Sequence, residues 1–187
     1  MKILNFIICF LVVATIANNT MAAIIFEVPT QLYPDIQSAI DDADPFEDTE
    51  VHITQSGDYE GFIINGKLVS VINVTTGNVF IKPEVMNTQY IVSIMHIPST
   101  QTARLEGLII KSSSITSWIN PKGLSILNSN VRITNCEIQM ENSDCGSAIY
   151  AQDANLDIDG LSVRRGFNFA AKIALANTSA TIINNSD

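Results

Sequence analysis

The chain has 187 residues, of which 47% are hydrophobic and 16% are charged, a balance that fits one domain with a continuous core and argues against general disorder. Its net charge is −9, with only 10 Lys and Arg residues against 19 Asp and Glu residues. Nucleic acids and anionic membranes require clustered basic surface on their partners. The composition therefore argues against both as partners and disfavours a strongly anionic polysaccharide.

The chain begins with a segment typical of a secretory signal peptide. A positively charged start precedes an apolar run over residues 3–17, and the small residues Thr20 and Ala22 fit a cleavage site after Ala22. We therefore predict a signal peptide over residues 1–22 and a secreted or cell-surface protein over residues 23–187. An uncleaved membrane anchor is the alternative, although the run is shorter than the ~20 residues that span a bilayer. No other membrane segment is predicted.

A short amphipathic helix is predicted next, over Tyr33–Ile40. Its apolar residues fall on one side: Ile36, Ala39, Ile40 and Ala43. Three segments of alternating apolar residues follow and predict strands: Val51–Ile53, Phe62–Ile64 and Val69–Val71.

From Ala103 onward the sequence repeats with a period of 28, then 25, then 24 residues. Four units begin with alternating apolar residues: Ala103–Ile110, Val131–Ile138, Leu156–Val163 and Ala180–Asp187. Each unit then reaches a Gly or Asn, which tolerate positive φ, so we expect bends at these positions: Gly107, Asn135, Gly160 and Asn184. A second set of short strands ends at Asn128, Asp153 and Asn177. Apolar residues alternate again after the bend in the first three units. Each repeat thus predicts three short strands separated by tight corners: one before the bend, one after it and one from the second set.

These units and the segments before them resemble the pectin-lyase-like superfamily of right-handed parallel β-helices. The resemblance covers most of residues 23–187 and implies a Gly-x-Tyr turn at Gly57–Gly61. It implies an all-β fold, a single-stranded right-handed parallel β-helix of about four to five turns, with the short helix over its N-terminal opening. The C-terminal end at Ala180–Asp187 has no evident cap. We therefore expect either a fragment of a longer β-helix or self-association through the open end.

Outward residues of successive turns are expected to stack into ladders about 4.8 Å apart. Two neighbouring ladders combine five charged residues: Arg104, Glu106, Arg132, Asp157 and Asp159. One hypothesis is a face that binds a polysaccharide or cell-surface glycan, or a calcium-assisted lyase face. The other is ordinary surface charge, in which Arg132 neutralises Asp157. Asp157 and Asp159 point the same way but alone fall short of the six to eight oxygens that calcium takes, so no metal or cofactor is predicted and a weak calcium site at this pair is the alternative.

The catalytic motifs of the superfamily's polygalacturonases and pectate lyases are absent. Gly57–Tyr59 matches only the first part of the pectin methylesterase motif. His52 and His96 lie in apolar strands, with no Ser or Cys at a spacing that suggests a nucleophile. We therefore predict no catalytic residue and a non-catalytic role in binding, adhesion or structure. A polysaccharide lyase or glycoside hydrolase, or an N-terminal fragment of one, is the alternative.

Two cysteines follow the predicted signal peptide. Cys136 aligns with Leu108 and Leu161 and is expected to face the core, whereas Cys145 lies in a predicted loop. A Cys136–Cys145 disulfide and a free, packed Cys136 are the two alternatives. Three sequons for N-glycosylation are present and matter only in a eukaryotic secretory route: Asn73, Asn177 and Asn184.

Overall fold

The computed structural model of the chain describes residues 22–83, 90–112, 122–140, 147–165 and 173–183. Its elements follow one another in this order: β1 (Ile24–Val28), α1 (Ile36–Asp42), β2 (Thr49–Ile53), β3 (Gly57–Glu60), β4 (Phe62–Asn65), β5 (Val69–Asn73), β6 (Val79–Lys82), β7 (Tyr90–Met95), β8 (Ala103–Glu106), β9 (Ile109–Ser112), β10 (Lys122–Leu127), β11 (Asn130–Thr134), β12 (Glu137–Met140), β13 (Ile149–Gln152), β14 (Asn155–Asp159), β15 (Ser162–Arg165), β16 (Ile173–Ala176) and β17 (Ser179–Ile183). Apart from Ala22, the predicted signal peptide lies outside the described residues. No helix among those residues is long and apolar enough to cross a membrane.

The strands form three parallel sheets, because each strand pairs with the equivalent strands of the neighbouring turns. Sheet A has the order β1-β2-β5-β8-β11-β14-β17, sheet B the order β3-β6-β9-β12-β15, and sheet C the order β4-β7-β10-β13-β16. Five turns, from β2–β4 to β14–β16, build a parallel β-solenoid. The prediction of an all-β coil with three strands in each turn and a short N-terminal helix is confirmed.

The core is made of columns of inward side chains, one from each turn. One column of sheet A is aligned residue by residue and fully buried from its second turn to its fifth: Val71, Leu105, Ile133 and Ile158. These residues occupy alternate positions of their strands, so the apolar-x-apolar pattern places them all on the same face. Branched side chains of similar size therefore stack on one another from turn to turn, and this stacking buries them.

The corners between sheets carry the residues with positive φ, as the repeat predicted. Asn128, Asn135 and Asp153 have φ of 47°, 50° and 51°. Their backbone N–H groups donate to carbonyls of the following turn, from Asn128 to Gln152 at 3.0 Å and from Asn135 to Asp159 at 2.9 Å. Each bend therefore adds a hydrogen bond between turns. The predicted bend at Asn184 lies outside the described residues.

Helix α1 begins at Ile36, later than predicted, because Asp35 is its N-cap and has extended backbone. The Asp35 Oδ1 accepts from Ser38 N at 2.7 Å, and Ser38 in turn completes a capping box. At the other end, Lys67 Nζ donates to the carbonyls of Ile40 and Asp41, at 3.0 and 2.6 Å. The buried side of the helix covers the first turn, as predicted.

The segment after β2 differs from the prediction. Gly57–Glu60 is strand β3 and not a turn, because it pairs in register with β6. The corner into β4 is the single residue Gly61. Its backbone lies so close to Ile91 of the next turn that a Cβ at this position would overlap the Ile91 carbonyl oxygen.

Candidate functional site

The five predicted ladder residues lie on the outer face of sheet A in the expected register. Arg132 is aligned with Arg104 on β8 and with Asp157 on β14. Glu106 and Asp159 belong to the neighbouring column of the same strands. All five are at least partly exposed.

The charged side chains of this face are paired with one another. Arg132 Nε lies 2.8 Å from Asp157 Oδ2. The Arg104 side chain extends past β5 to Glu50 on β2, and its Nη2 lies 2.9 Å from Glu50 Oε1. Its Nε lies 3.6 Å from Oε2 of Glu106 on its own strand. Exposed pairs of this kind contribute about 0–1 kcal/mol each. They also occupy hydrogen-bonding atoms that a ligand would need, so a role for the ladder in binding stays a prediction.

Glu50 extends the paired network to the start of sheet A. Its Oε2 lies 2.8 Å from Nε2 of His52, which faces outward on β2. Loss of hydration raises the pKa of the nearby Asp48, and the Glu50 charge raises it further. Within the described part of the chain, no three His, Cys, Asp or Glu side chains gather closely enough to hold a metal ion. Among the described residues, no third His, Cys, Asp or Glu side chain lies close enough to bind a calcium ion together with Asp157 and Asp159.

A cleft of about 270 Å³ lies where helix α1 meets the first strands of sheets B and C. Asp35 and Gln37 line it from the helix side, and Glu60, Ile63 and Tyr90 line it from the solenoid. The Gln37 amide joins the two sides, because its Nε2 donates to the Ile63 carbonyl at 3.2 Å and its Oε1 accepts from Ile63 N at 2.7 Å. These bonds pair the N–H and C=O groups of Ile63 at the outer edge of β4 and hold the helix against the solenoid beside the cleft.

Glu60 and Tyr90 bring a carboxylate and an aromatic ring to the same cleft. The Glu60 side chain is exposed and forms no hydrogen bond or ion pair with any described residue. The Tyr90 ring is partly exposed, and its centroid lies 6.4 Å from that of Tyr150 on β13, with 30° between the planes. A carboxylate accepts hydrogen bonds from hydroxyl groups, and an aromatic face packs on the apolar face of a sugar ring. The arrangement can therefore hold a polyhydroxylated ligand.

No motif in the sequence points directly to this cleft. Glu60 and Tyr90 are distant in the chain and come together only because β4 pairs with β7, with Phe62 opposite Val92. The available local signals were the acidic residue beside the single-residue corner Gly61 and a tyrosine at the start of an apolar strand. Neither signal shows that the two side chains line one cavity.

Comparisons of the chain with protein-family models, with curated proteins and with solved structures find no match. The protein is a parallel β-solenoid of about five turns. The finer resemblance to the pectin-lyase-like superfamily rests on the sequence pattern alone.

Cys136 is buried at the corner between sheets A and B, as its alignment predicted. Its Sγ contacts the carbonyl oxygens of Thr134 at 3.4 Å and Leu105 at 3.6 Å. Cys136 is a free cysteine, and Cys145, its partner in the alternative with a disulfide, lies outside the described residues. Burial raises the pKa of the Cys136 thiol from its ordinary 9.0 to about 11, which makes the folded thiol a poor nucleophile.

This shift predicts a loss of stability in alkali. The unfolded thiol ionises near pH 9.0, whereas the folded thiol keeps its proton up to about pH 11. The contribution of Cys136 to the free energy of unfolding is therefore complete below pH 9.0 and falls as the pH rises toward about 11. Urea denaturation across this range is expected to show a steeper loss in the wild type than in Cys136→Ala. An equal loss of the free energy of unfolding in the two proteins would contradict the raised pKa of the Cys136 thiol.

The sequons fall at structurally different places. The Asn73 Nδ2 donates to the carbonyls of Gly77 and Gly107, both at 3.1 Å, so a glycan on this nitrogen would compete with both bonds. The Asn177 Nδ2 donates to Asp153 Oδ1 at 2.6 Å, and both residues lie at exposed corners of successive turns. Asn184 lies outside the described residues. Glycosylation stays a prediction at all three positions.

Proposed function

We propose that this protein is a non-catalytic binding module, secreted or displayed at the cell surface, that holds an uncharged oligosaccharide in the cleft between α1 and the solenoid. The observation that carries the proposal is the pairing of Glu60 and Tyr90 in one cleft. Glu60 offers acceptor oxygens that no described residue uses, and Tyr90 offers a ring face. Tyr150 extends the aromatic surface toward the later turns of sheet C.

Charge favours an uncharged sugar over an acidic one. Asp35 and Glu60 both line the cleft, and the chain has a net charge of −9. A carboxylate or sulfate on the ligand would be repelled by these groups and would lack a basic partner among the cleft residues named here. Neutral hydroxyl groups are not repelled in this way and can donate hydrogen bonds to both carboxylates.

The size of the cleft sets the expected mode of binding. A volume of about 270 Å³ falls just below the range of typical small-molecule pockets, about 300–1,000 Å³. The cleft thus encloses one or two sugar rings, and further rings of an oligosaccharide would pass over Tyr150. Binding through the end of a chain and through stacking is reversible and suits adhesion or recognition more than chemistry.

Calorimetric titration of the protein with cellohexaose, mannohexaose and chitohexaose tests the proposal. We expect at least one of them to bind, and we expect Glu60→Gln and Tyr90→Ala each to raise its Kd at least about tenfold, a loss of about 1.4 kcal/mol. Tyr150→Ala should weaken the hexasaccharide more than the corresponding disaccharide. Matched controls away from the cleft are Glu27→Gln on β1 and Phe46→Ala after α1, which should bind as the wild type does.

Failure of all three sugars to bind, or equal affinity in the variants and the wild type, would contradict the proposal. The same incubations also examine the enzymatic alternative. Release of reducing sugar ends that depends on Arg132 or Asp157 would replace the binding module with a glycoside hydrolase on the outer face of sheet A.

A further inference from the structure

A second cavity, of about 520 Å³, lies beside strand β3 at the start of sheet B. Pro29, Pro34 and Asp35 line it on the side of β1 and α1, and the chain from Gln55 to Glu60 lines it on the side of the solenoid. Its volume falls within the range typical of ligand sites, about 300–1,000 Å³. The cavity adjoins the sugar cleft, because Asp35 and Glu60 line both.

The backbone of β3 presents hydrogen-bonding groups to this cavity. In the described part of the chain, β3 is the first strand of sheet B and pairs only with β6. Gly57 N donates to Asn78 O at 3.0 Å on that paired side. Alternate residues of a strand direct their backbone groups to opposite sides, so Asp58 and Glu60 direct their N–H and C=O groups to the unpaired edge.

The opposite wall of the cavity does not pair with these groups. Pro29 and Pro34 have no backbone N–H. Between them, Thr30 N donates to Tyr33 O at 2.8 Å, and Tyr33 N donates to Thr30 Oγ1 at 2.9 Å. The first strand of sheet C differs, because the Gln37 side chain bonds to its outer edge. The edge of β3 therefore faces an open cavity.

The inward column of sheet B ends at a side chain that is only partly covered. Ile81, Ile110 and Ile138 are aligned in successive turns, and all three are buried. Tyr59 continues this column on β3, yet it is partly exposed and lines the cavity. A strand added beside β3 would place an inward side chain on Tyr59, as β6 does from the other side.

The outward face of β3 is acidic. The side chains of Asp58 and Glu60 are both exposed. Lys82 on β6 is aligned with Glu60, and its Nζ lies 2.5 Å from Asp58 Oδ2. Outward side chains of an added strand would lie about 4.5–5.5 Å from those of β3, measured between Cβ atoms. Basic side chains there would be attracted by both carboxylates, whereas acidic ones would be repelled.

Strand β1 has an unpaired outer edge as well, but its outward face differs in charge. Its outward side chains are Ile25, aligned with Glu50, and Glu27, aligned with His52. This face thus carries one carboxylate, whereas that of β3 carries two. Charge therefore favours β3 over β1 as the edge that takes a basic strand.

We propose that the β3 edge binds an extended segment of a basic partner protein, which adds one strand to sheet B. The N–H and C=O groups of Asp58 and Glu60 pair with the backbone of the segment. Its basic side chains face the two carboxylates, and an apolar side chain between them packs on Tyr59. The segment therefore alternates basic and apolar residues over at least the four residues of β3.

Fluorescence anisotropy of a labelled peptide, Lys-Val-Lys-Val-Lys-Val-Lys, tests this site. We expect it to bind with a Kd at least about tenfold lower than that of Lys-Lys-Val-Val-Val-Lys-Lys, which has the same charge without the alternation. Asp58→Lys should raise the Kd at least about tenfold, because it places like charges side by side. Asp58→Pro removes an N–H at the unpaired edge and should raise the Kd as much. It should keep the circular dichroism spectrum of the wild type, because that N–H is not directed toward β6.

Glu27→Lys is the matched control, since it reverses an exposed charge on the other unpaired edge, and it should bind the alternating peptide as the wild type does. Equal affinity for the two peptides, or no binding of the alternating one, would overturn the proposal. So would a loss of binding in Glu27→Lys with none in Asp58→Lys, which would place the peptide on β1. The titrations contain no sugar, so this proposal and the proposed sugar binding can each fail without the other.

Discussion

Ile158→Ala is expected to lower the free energy of unfolding by about 2–5 kcal/mol, the usual cost of truncating a fully buried isoleucine. Ile158 is fully buried between Ile133 of the turn before and Ile182 of the turn after. Removing its side chain leaves a cavity that backbone cannot fill, because both neighbouring strands are held at a fixed spacing by the sheet. Urea denaturation of the two proteins measures the loss.

The same substitution one turn later is the matched control. Ile182 occupies the same column, yet 47% of it is exposed in the single chain. Ile182→Ala therefore removes less buried surface and is expected to cost clearly less than Ile158→Ala at concentrations where the chain is monomeric. Equal losses at the two positions would mean that the inward face of β17 is covered as fully as that of β14.

The architecture was predictable because its signals are local. Apolar residues at alternate positions identify the inward face of a strand, and Asn135 or Gly160 at the end of such a strand marks a bend with positive φ. Both signals recur at nearly constant spacing in turns 3 to 5, so the repeated units could be aligned without gaps inside them. The burial of Cys136 followed from the same alignment.

The first turns and the cleft were less predictable because they depend on exceptions to the repeat. Gly57–Glu60 contains two residues typical of turns, and only pairing with β6 makes it a strand. Helix α1 begins after Asp35, whose capping box with Ser38 does not follow the common Ser/Thr-x-x-Glu/Gln pattern. Tyr90 reaches the cleft through the register of β7 on β4, which a turn of irregular length conceals.

The ladder on sheet A shows a different limit. The sequence placed Arg104 and Arg132 on one column, and the structure agrees. Alignment by column alone did not reveal that Arg104 reaches back to Glu50, two strands away. The length of a side chain, and not only the register of its strand, decides which ion pair it forms. Alignment of the strands therefore gives the positions of the Cα atoms in a column but not the charged pairs.

Gly61→Ala is expected to destabilise the protein by at least about 3 kcal/mol, the upper end of the usual cost of overpacking. A Cβ at this corner would overlap the carbonyl oxygen of Ile91, and a backbone atom cannot move aside as the end of a side chain can. Ile91 lies on β7, which pairs with β4, so relief of the overlap requires the first two turns to separate. Gly66→Ala provides the control, because its φ of 67° costs about 1–2 kcal/mol of strain while the space around it is open. If urea denaturation shows no greater loss for Gly61→Ala than for Gly66→Ala, the close approach of the Gly61 corner to β7, on which the shape of the cleft depends, is wrong.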